Sequence, residues 1–408
     1  MKNLELYIHI PFCVRKCEYC DFLSFAADAQ MQAEYVHALL SELRFYGGRM
    51  QDYLVSTIYV GGGTPSWLDG EQILAILDGV YQGFYVAEDA EVSIECNPGT
   101  VTAGKLALYK KAGINRLSVG LQSCDNRELK LLGRIHTYEQ FLKTYSLARD
   151  AGFANVNVDL ISGLPYQTAE KFAETLQKVI HLRPEHVSAY TLMIEPGTPF
   201  YERYKFDAVR QEAGMPTEVL PSEDEAYRIY KLTQRALRKA GFEQYEISNY
   251  GRPGYACRHN IGYWTRENYL GVGLGAASLI ENVRYANTAD IYEYGKLCRQ
   301  LAWLPADAFA CGEKTPQGDW FGCNLHLSAE ILPRRSQMEE FMILGLRMTG
   351  GVTRAAFEKC FGMPVEAVYR DVLMELKEAQ LIRLAEGRLA LTDRGMDLAN
   401  YCMAKFMQ

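Results

Sequence analysis

Three cysteines near the start of the chain have the spacing of a metal-cluster site. They lie in Ile10-Pro-Phe-Cys13-Val-Arg-Lys-Cys17-Glu-Tyr-Cys20, a C-x3-C-x2-C pattern with charged residues between the thiols. Thiolates this close repel one another unless a cation binds them, and iron–sulfur clusters bind through such thiolates. Three thiolate ligands leave one iron of a four-iron cluster open, which is typical of a reactive metal site. Three cysteines buried in a tight loop and a zinc site are the other interpretations, although no fourth Cys or His follows at zinc-ribbon spacing.

Two loops further along the chain have residues that suit a polar ligand. Gly61-Gly-Gly-Thr64-Pro65 follows an apolar run, and its glycines would expose backbone groups and allow a ligand to approach closely. The same residues also suit a simple tight turn. Glu95-Cys-Asn97-Pro follows the next apolar run, and its carboxylate could accept hydrogen bonds from ribose hydroxyls.

Asp159 lies inside an otherwise apolar strand, where an unpaired carboxylate is costly. Arg134, in Leu-Gly-Arg134-Ile-His136, is its candidate partner. One interpretation is a structural salt bridge between the two side chains. The other is that both bind a ligand, with Arg134 forming a bidentate contact with a carboxylate of that ligand.

Residues 1–200 alternate between short apolar runs and amphipathic segments, which predicts a parallel α/β fold. The predicted strands, read as apolar on both faces, are Leu4–Ile10, Thr57–Val60, Val92–Cys96, Arg116–Gly120, Val156–Ile161 and Val187–Leu192. The predicted helices are one that contains Val36, Leu39, Leu40 and Leu43 and stops at Gly47–Gly48, and those over roughly 70–82, 102–112, 137–151 and 168–181. Only six strands precede a change of pattern, so an open (βα)6 partial barrel is favoured over a closed eight-stranded one. Active sites of parallel barrels lie at the carboxyl ends of the strands, where the cysteines and the loops above would meet.

The pattern changes after Pro196. Residues 203–221 are predicted to form a loop. Ser222 and Glu225 then form a capping-box pair, which predicts a helix from that point to about Ala240.

The chain between that helix and the last segment is predicted to be less regular. Residues 242–290 are rich in Gly, Tyr and Asn and are predicted to form strands and loops that could cover one barrel end. Residues 305–335 are predicted to be irregular, and no metal site is predicted at Cys311 and Cys323 within them.

The last segment resembles a winged-helix module. Its predicted elements are helices over 338–348, 353–361 and 365–379, a hairpin Leu381–Thr392 that turns at Gly387, and a helix over 393–406. Winged helices often bind DNA, but the chain is acidic and has no basic recognition helix. A structural or protein-docking role is therefore favoured.

Composition excludes several classes of protein. The chain has 408 residues, of which 48% are hydrophobic, so disorder is excluded as its main state. Its formal charge is −7, from 43 basic and 50 acidic residues, which disfavours nucleic acid as a partner. No signal peptide and no apolar run of ~18 residues is found, so a cytoplasmic protein without a transmembrane segment is predicted. The 11 cysteines are odd in number and irregularly spaced, which disfavours a disulfide framework.

Six short motifs follow one another in a fixed order. They are Tyr-x-His-Ile-Pro-x-Cys from Tyr7, Gly-Gly-Gly-Thr-Pro, Glu-x-Asn-Pro, Leu-Gln-Ser, Leu-Gly-Arg-x-His and Asp-Leu-Ile-x-Gly-Leu-Pro. Together they resemble the coproporphyrinogen III oxidase branch of the radical S-adenosylmethionine (SAM) superfamily, over essentially the full chain. The resemblance implies a radical SAM (βα)6 partial barrel followed by an α+β winged-helix-like domain.

The resemblance also implies cofactors and their contacts. It implies that Cys13, Cys17 and Cys20 ligate a [4Fe–4S] cluster whose open iron binds the amino and carboxylate groups of SAM. One-electron transfer would then cleave the sulfonium and yield a 5′-deoxyadenosyl radical. The residues that it implies in contact with SAM are Tyr7, Tyr19, Gly62, Gly63, Thr64, Glu95, Gln122, Arg134 and Asp159. No catalytic residue is assigned.

Two subgroups share these motifs. The oxygen-independent oxidases carry a further cysteine two residues beyond the third ligand and a long N-terminal extension, whereas this chain has Phe22 at that place and only six residues before Tyr7. The other subgroup, the heme chaperones of the HemW type, is marked by His-Asn-x-x-Tyr-Trp, which is present as His259-Asn260-Ile-Gly-Tyr263-Trp264.

The His-Asn-x-x-Tyr-Trp motif has two interpretations. A neutral imidazole is a good axial ligand for heme iron, so His259 is the candidate ligand, with Tyr263 and Trp264 as flat apolar surface for the macrocycle. Alternatively, His259 and Asn260 satisfy loop backbone groups while the two aromatic side chains fill the core.

The resemblance favours a heme-trafficking protein. It would bind the cluster and SAM, hold heme, and pass heme to apo-hemoproteins such as respiratory enzymes, including membrane-bound ones, with an electron donor as a further partner. The alternatives are an oxygen-independent coproporphyrinogen III oxidase and a radical SAM enzyme with another substrate whose last domain recruits a protein. The predicted domains are the barrel over 1–200, an extension with the His-Asn-x-x-Tyr-Trp motif over 201–305, and the winged-helix-like domain over 306–408.

Overall fold

A computed structural model describes residues 1–301 and 325–407. Its first half is a series of parallel strands and helices that confirms the predicted α/β fold. The strands are β1 (Lys2–Ile10), β2 (Tyr53–Gly62), β3 (Tyr85–Cys96), β4 (Arg116–Gln122), β5 (Val156–Ser162) and β6 (His186–Thr191). The helices between and after them are α1 (Ala29–Gly47), α2 (Gly70–Gly83), α3 (Ala103–Lys111), α4 (Asn126–Leu131), α5 (Tyr138–Asp150) and α6 (Ala169–Leu182).

The barrel strands have an apolar outer face and a polar inner face. On β1, Leu6 and Ile8 are fully buried in the main hydrophobic core, while Glu5 and Tyr7 alternate with them on the other face. Arg116 on β4 is also buried and polar. The prediction of strands apolar on both faces was therefore wrong, because the helices cover only the outer face.

Further strands extend the sheet at both edges. The elements from residue 199 to 331 are α7 (Pro199–Glu212), α8 (Glu223–Lys239), β7 (Glu243–Gln244), β8 (Asn249–Gly251), α9 (Arg258–Thr265), β9 (Tyr269–Val272), β10 (Ala277–Ile280), β11 (Val283–Asn287), α10 (Ile291–Leu301) and β12 (His326–Ile331). The strand order is β12-β11-β10-β9-β1-β2-β3-β4-β5-β6-β8-β7, in which β9 is parallel to β1 and β8 antiparallel to β6. Within the described part of the chain, this sheet does not close into a full barrel.

The predicted loop over 203–221 was wrong, because α7 occupies most of it. The side chain of Thr198 caps this helix by accepting the Tyr201 N–H, and Pro199 occupies its first turn. Most α7 side chains remain at least partly exposed. The helix therefore has no wide apolar stripe that a sequence pattern would show.

The predicted helix after Ser222 is confirmed as α8, but only half of its capping box forms. The Ser222 hydroxyl accepts the Glu225 N–H, as expected. The Glu225 carboxylate instead accepts the Ala169 N–H at the start of α6, at 2.6 Å. A tertiary contact between two helices thus replaces a local one.

Two predictions between α8 and the C-terminal segment need correction. Residues 242–290 include α9, a helix where only strands and loops were predicted. The predicted irregular stretch 305–335 ends in the regular strand β12. Cys311 and Cys323 lie outside the described residues.

The C-terminal segment forms a module with its own hydrophobic core. Its elements are α11 (Arg334–Gly345), β13 (Val352–Thr353), α12 (Arg354–Phe361), α13 (Val365–Glu378), β14 (Ile382–Ala385), β15 (Arg388–Leu391), α14 (Asp393–Asp397) and α15 (Ala399–Ala404). The three strands pair in the order β13-β15-β14, and Glu386 and Gly387 both have positive φ at the hairpin turn. The predicted helices and hairpin are confirmed, although the last predicted helix is divided into α14 and α15.

Over the described ranges, no helix combines the length and the apolar character that crossing a bilayer requires.

Candidate cofactor site

A cavity of about 480 Å³ opens at the carboxyl ends of the parallel strands. Cys13, Cys17 and Cys20 all line it, from the loop between β1 and α1. The other lining residues that the sequence singled out for SAM are Tyr19, Gly62, Gly63, Thr64, Glu95, Gln122, Arg134 and Asp159. The fold therefore brings together, around one space, residues that are spread over nearly 150 positions of the sequence.

Tyr7 is the one predicted SAM contact that does not line this cavity. Its hydroxyl pairs with Nδ1 of His9 at 3.0 Å, and its ring stacks on Tyr59, with centroids 6.4 Å apart. Tyr59 does line the cavity. Tyr7 is thus placed to support the cavity wall from within the barrel.

The glycine loop after β2 lies directly against the cysteine loop. Gly63 N–H donates to the carbonyl of Ile10 at 2.8 Å, and Thr64 N–H donates to that of Phe12 at 2.7 Å. A Cβ on Gly63 would lie 2.8 Å from the Phe12 oxygen, and Gly62 has a φ of +112°. These glycines are needed for close approach and backbone conformation, so the loop is more than a simple turn.

A chain of polar contacts connects the cysteines to two other loops. The Thr64 hydroxyl contacts Cys13 Sγ at 3.4 Å and accepts a hydrogen bond from Asn97 Nδ2 at 2.7 Å. Arg134 Nη2 donates to Asn97 Oδ1 at 2.6 Å, and its Nη1 lies 3.5 Å from Cys17 Sγ. Two of the three thiols are thus held through Thr64, Asn97 and Arg134. Asn97 lies in the Glu-x-Asn-Pro motif but was not predicted to be a site residue. Its short amide side chain directly after a strand is the signal that could have identified it.

The surroundings of Cys13 and Cys20 favour the neutral thiol over the thiolate. Burial raises the pKa of Cys13 and of Cys20, and the neighbouring Cys17 raises both further. In the described part of the chain, no three His, Cys, Asp or Glu side chains converge tightly enough for a single metal ion. All three cysteines instead line one shared cavity, which suits a larger group such as a cluster, and a cationic group would stabilise the thiolates that burial disfavours.

Two half-buried carboxyl groups also line the cavity. Glu95 accepts the Tyr59 hydroxyl at 2.9 Å and the Gly62 N–H at 3.0 Å, and burial raises its pKa to about 7. Asp159 accepts from Ser118 Oγ at 3.0 Å and Asn157 Nδ2 at 2.7 Å, and burial also raises its pKa. Glu95 can therefore hold a proton near neutral pH, and burial shifts the pKa of Asp159 in the same direction.

The interpretation of Asp159 and Arg134 as a structural salt bridge was wrong. Each group has other partners: Arg134 donates to Asn97 and to the carbonyl of Gly120, at 2.8 Å for the latter. The Arg134 Nε is buried and has no protein partner in the described structure. Both side chains line the cavity, so both are placed to contact a ligand.

The His-Asn-x-x-Tyr-Trp motif lies on α9, which packs its histidine inside the barrel. His259 is 1% exposed, and its Nδ1 pairs with the Thr57 hydroxyl at 2.7 Å while its Nε2 pairs with Tyr263 Oη at 3.2 Å. Its ring stacks on Tyr59 at 5.1 Å. Burial lowers the pKa of His259 to about 3, so the ring is neutral. In this arrangement neither ring nitrogen is free to bind iron, and heme ligation by His259 stays a prediction that requires α9 to leave the barrel.

The rest of α9 contacts β1 and the C-terminal module. A Cβ on Gly262 would lie 1.9 Å from Glu5 Oε1, so only glycine allows this approach. Trp264 is half-buried and has the guanidinium of Arg347 over its ring at 4.4 Å. Tyr263 packs edge-on against Tyr269, with centroids 4.7 Å apart. This placement agrees with the interpretation in which the motif's aromatic residues pack inside the protein.

This fold has counterparts among known proteins. Residues 7–179 match the family model of the Radical SAM superfamily, and residues 332–398 match that of the HemN C-terminal domain. In solved structures, the chain is similar to coproporphyrinogen III oxidase (HemN) from Escherichia coli, described as a radical SAM enzyme, with a TM-score of 0.80. That likeness covers 99% of this chain and 90% of the other at 24% identity, which shows the fold.

Several curated relatives are more similar to this chain in sequence than that solved structure is. The chain is 33% identical over 406 residues to the heme chaperone HemW of Lactococcus lactis, covering 100% of this chain and 98% of that protein. It is 42% identical over 274 residues to the heme chaperone HemW of Escherichia coli, covering 67% of this chain and 69% of that one. It is 37% identical over 392 residues to the mouse mitochondrial radical S-adenosyl methionine domain-containing protein 1, covering 96% and 83%. The chain therefore belongs to the HemW family of radical SAM proteins.

Proposed function

We propose that this protein binds heme and passes it to apo-hemoproteins, on a scaffold that also holds a [4Fe–4S] cluster and SAM. The observation that carries the proposal is membership of the HemW family over the full chain, whose relatives bear the name heme chaperone. The convergence of three thiols and two half-buried carboxyl groups on one cavity supports the cofactor part. The acceptors would include respiratory enzymes, and an electron donor would be a further partner.

Cys13, Cys17 and Cys20 would hold the cluster at the edge of the cavity. A cluster with an open iron, when bound, supplies the electron that cleaves the sulfonium of SAM. The chain's own residues set the geometry: Thr64 and Arg134 contact two of the sulfurs, and the backbone of Gly63 holds the loop against β2. Such contacts orient metal ligands and adjust their basicity.

The cavity wall would position SAM and keep water away. Glu95 and Asp159 offer carboxyl oxygens that are already oriented by hydrogen bonds, so either can accept from hydroxyl or amino groups of a ligand. Arg134 would contribute positive charge, and Tyr19, Gly62, Gln122 and Thr64 would complete the contact surface. Tyr7 would act indirectly, by supporting Tyr59.

The iron and sulfide content of the purified protein tests whether Cys13, Cys17 and Cys20 are the cluster ligands. Anaerobically purified protein should contain about four iron and four sulfide per chain, the stoichiometry of a [4Fe–4S] cluster. The Cys13→Ser/Cys17→Ser/Cys20→Ser variant should lose nearly all of it. Cys360→Ser, which replaces an exposed cysteine of the C-terminal module, is the matched control and should keep it. Undiminished iron and sulfide in the triple variant would exclude these three ligands.

Heme binding and oxidase activity separate the main alternatives. Titration with hemin should show stoichiometric binding without turnover. Incubation with SAM, a reductant and coproporphyrinogen III should give no protoporphyrinogen; clear product would favour the oxidase instead. Phe22, which lines the cavity mouth and is 64% exposed, replaces the further cysteine of the oxidases and supports the chaperone.

The variant His259→Ala tests whether the His-Asn-x-x-Tyr-Trp motif takes part in heme binding. Because both of its ring nitrogens are occupied within the protein, we expect His259→Ala to leave hemin affinity and the absorption spectrum unchanged. A weaker affinity together with an altered spectrum would show that α9 opens and that His259, with Tyr263 and Trp264, contacts heme.

A further inference from the structure

A second cavity lies between the barrel and the C-terminal module. Its volume is about 720 Å³, within the ~300–1,000 Å³ typical of small-molecule sites. We call it the α8 cleft; it is lined by Tyr227, Lys231, Arg235 and Arg238 of α8 on one side and by Arg383 and Met396 of the C-terminal module on the other, among other residues. No residue that lines it also lines the cysteine cavity.

The α8 cleft is basic in an acidic protein. Five of its lining residues are Lys or Arg and two are Asp or Glu, whereas the whole chain has a formal charge of −7. Like charges gathered in a cleft repel one another and attract a ligand of opposite sign. The local charge therefore points to an anionic occupant.

Two of the five cations already have partners. Lys231 Nζ pairs with Asp397 at 2.7 Å, and Arg228 pairs with Glu225 at 2.7 Å. These pairs join the cleft walls or brace α8, so their charges are largely compensated.

The other three cations, Arg235, Arg238 and Arg383, have no ion pair with a carboxylate in the described part of the chain. Arg235 Nε donates to the carbonyl of Lys231 and Arg383 Nη2 to that of Thr349, so backbone contacts hold two of them in place. Guanidinium groups bind carboxylates by paired hydrogen bonds. The cleft, which is open to solvent, thus presents three exposed guanidinium groups to one shared space.

We propose that the α8 cleft is where this protein carries heme, a proposal that rests on the heme binding proposed above. Heme is a flat apolar ring with two propionate carboxylates on one edge. Arg235, Arg238 and Arg383 would bind the propionates, while the ring of Tyr227 and the thioether of Met396 offer apolar contact for the macrocycle. Heme carriage would then be separate from the cluster and SAM.

The test compares hemin binding by two charge-matched variants of the full-length protein. Arg235→Gln/Arg238→Gln/Arg383→Gln should bind hemin at least about tenfold more weakly than the wild type, because the propionates lose their charged partners. Arg44→Gln/Arg127→Gln/Arg299→Gln removes three exposed arginines outside the cleft and should bind as the wild type does. Thermal unfolding of each variant checks that it is folded, and the single variant Arg238→Gln, expected to weaken binding about threefold, is used if the triple variant is not.

A second probe isolates the role of the propionates. Hemin dimethyl ester has the same ring without the two charges, and it should bind the wild type and the cleft variant equally weakly. Equal hemin affinity of the wild type and the cleft variant would overturn the cleft proposal while leaving heme binding intact, as would a loss confined to His259→Ala. Absence of hemin binding by the wild type would instead overturn the proposed function.

Discussion

At the scale of single residues, the inside of the barrel depends on carboxyl groups that stay neutral. Glu5 is 2% exposed, and burial, followed by the nearby carboxylates of Glu267 and Glu91, raises its pKa to about 9. One of its carboxyl oxygens has no hydrogen-bond partner in the described structure. Its neighbour His259 is neutral as well, so the 3.8 Å contact between them is not an ion pair at neutral pH. Glu5 and His259 therefore pack against each other as neutral polar groups rather than as paired charges.

This state of Glu5 makes stability depend on pH. In the unfolded chain the carboxyl ionises near pH 4.5, whereas in the folded protein it keeps its proton up to about pH 9. The unfolded state therefore binds fewer protons between these values, and the stability contributed by the neutral carboxyl is lost as pH rises through that range. We expect Glu5→Gln, which keeps the shape of the neutral acid, to raise the midpoint of thermal unfolding at pH 8 relative to the wild type.

The pH dependence of the difference in unfolding midpoint between Glu5→Gln and the wild type tests whether Glu5 is the titrating group. This difference in midpoint should shrink towards zero well below pH 4.5, where Glu5 is protonated in both the folded and the unfolded state, and calorimetric scans at several pH values measure it. Taking the difference cancels other titrating groups such as Glu42 and Glu95. A gap that stays constant from pH 5 to pH 9 would mean that Glu5 is ionised in the folded protein.

At the scale of elements, the cofactor site depends on how two loops fit together. The cysteine loop carries the thiols, but its backbone is held by the glycine loop after β2. A loop of this kind is mobile unless something ties it down, and ligand geometry must be accurate for a cluster to bind. We therefore expect the proposed cluster site to depend on the close approach at Gly63 as well as on the cysteines.

Gly63→Ala tests this dependence. The added Cβ would lie 2.8 Å from the Phe12 oxygen and 2.9 Å from the Ile10 oxygen, so one loop must move away from the other. We expect iron and sulfide content after anaerobic reconstitution to fall several-fold, with the protein still folded. Gly48→Ala, at the end of α1, places its Cβ in open space and should reconstitute normally. Equal iron content in the two variants would show that the loop contact is dispensable.

At the scale of the whole molecule, a charged contact joins the C-terminal module to the barrel sheet. Glu340 on α11 pairs with Arg266 at 3.2 Å and with Arg284 at 2.7 Å. The Arg266 side chain is 8% exposed, so loss of its partner would leave a largely buried charge. Trp264 and Arg347 stack beside this pair and add to the interface.

Glu340→Gln should therefore destabilise the protein. We expect a loss of about 1–3 kcal/mol, seen as a midpoint of thermal unfolding lower by roughly 2–4 °C for each kcal/mol. Glu339→Gln is the matched control, since Glu339 pairs with Arg335, whose side chain is 58% exposed, and exposed pairs contribute little. If both variants unfold at the same temperature, the Glu340 contact does not hold the two parts together.

The amino-acid sequence by itself determined the alternation of strands and helices in the barrel, apart from the short helix α4, and the elements of the C-terminal module, because hydrophobic period, caps and turn residues are local properties. It also indicated two of the loops that line the cavity, since the cysteines follow β1 and the glycine run follows β2. Only the tertiary structure decided where Tyr7, Asn97 and His259 act. Their roles depend on neighbours more than 30 positions away, such as Tyr59 beside Tyr7 and Thr57 beside His259. The α8 cleft likewise exists only because two distant segments pack together, and no local pattern in either segment shows the charge that they gather between them.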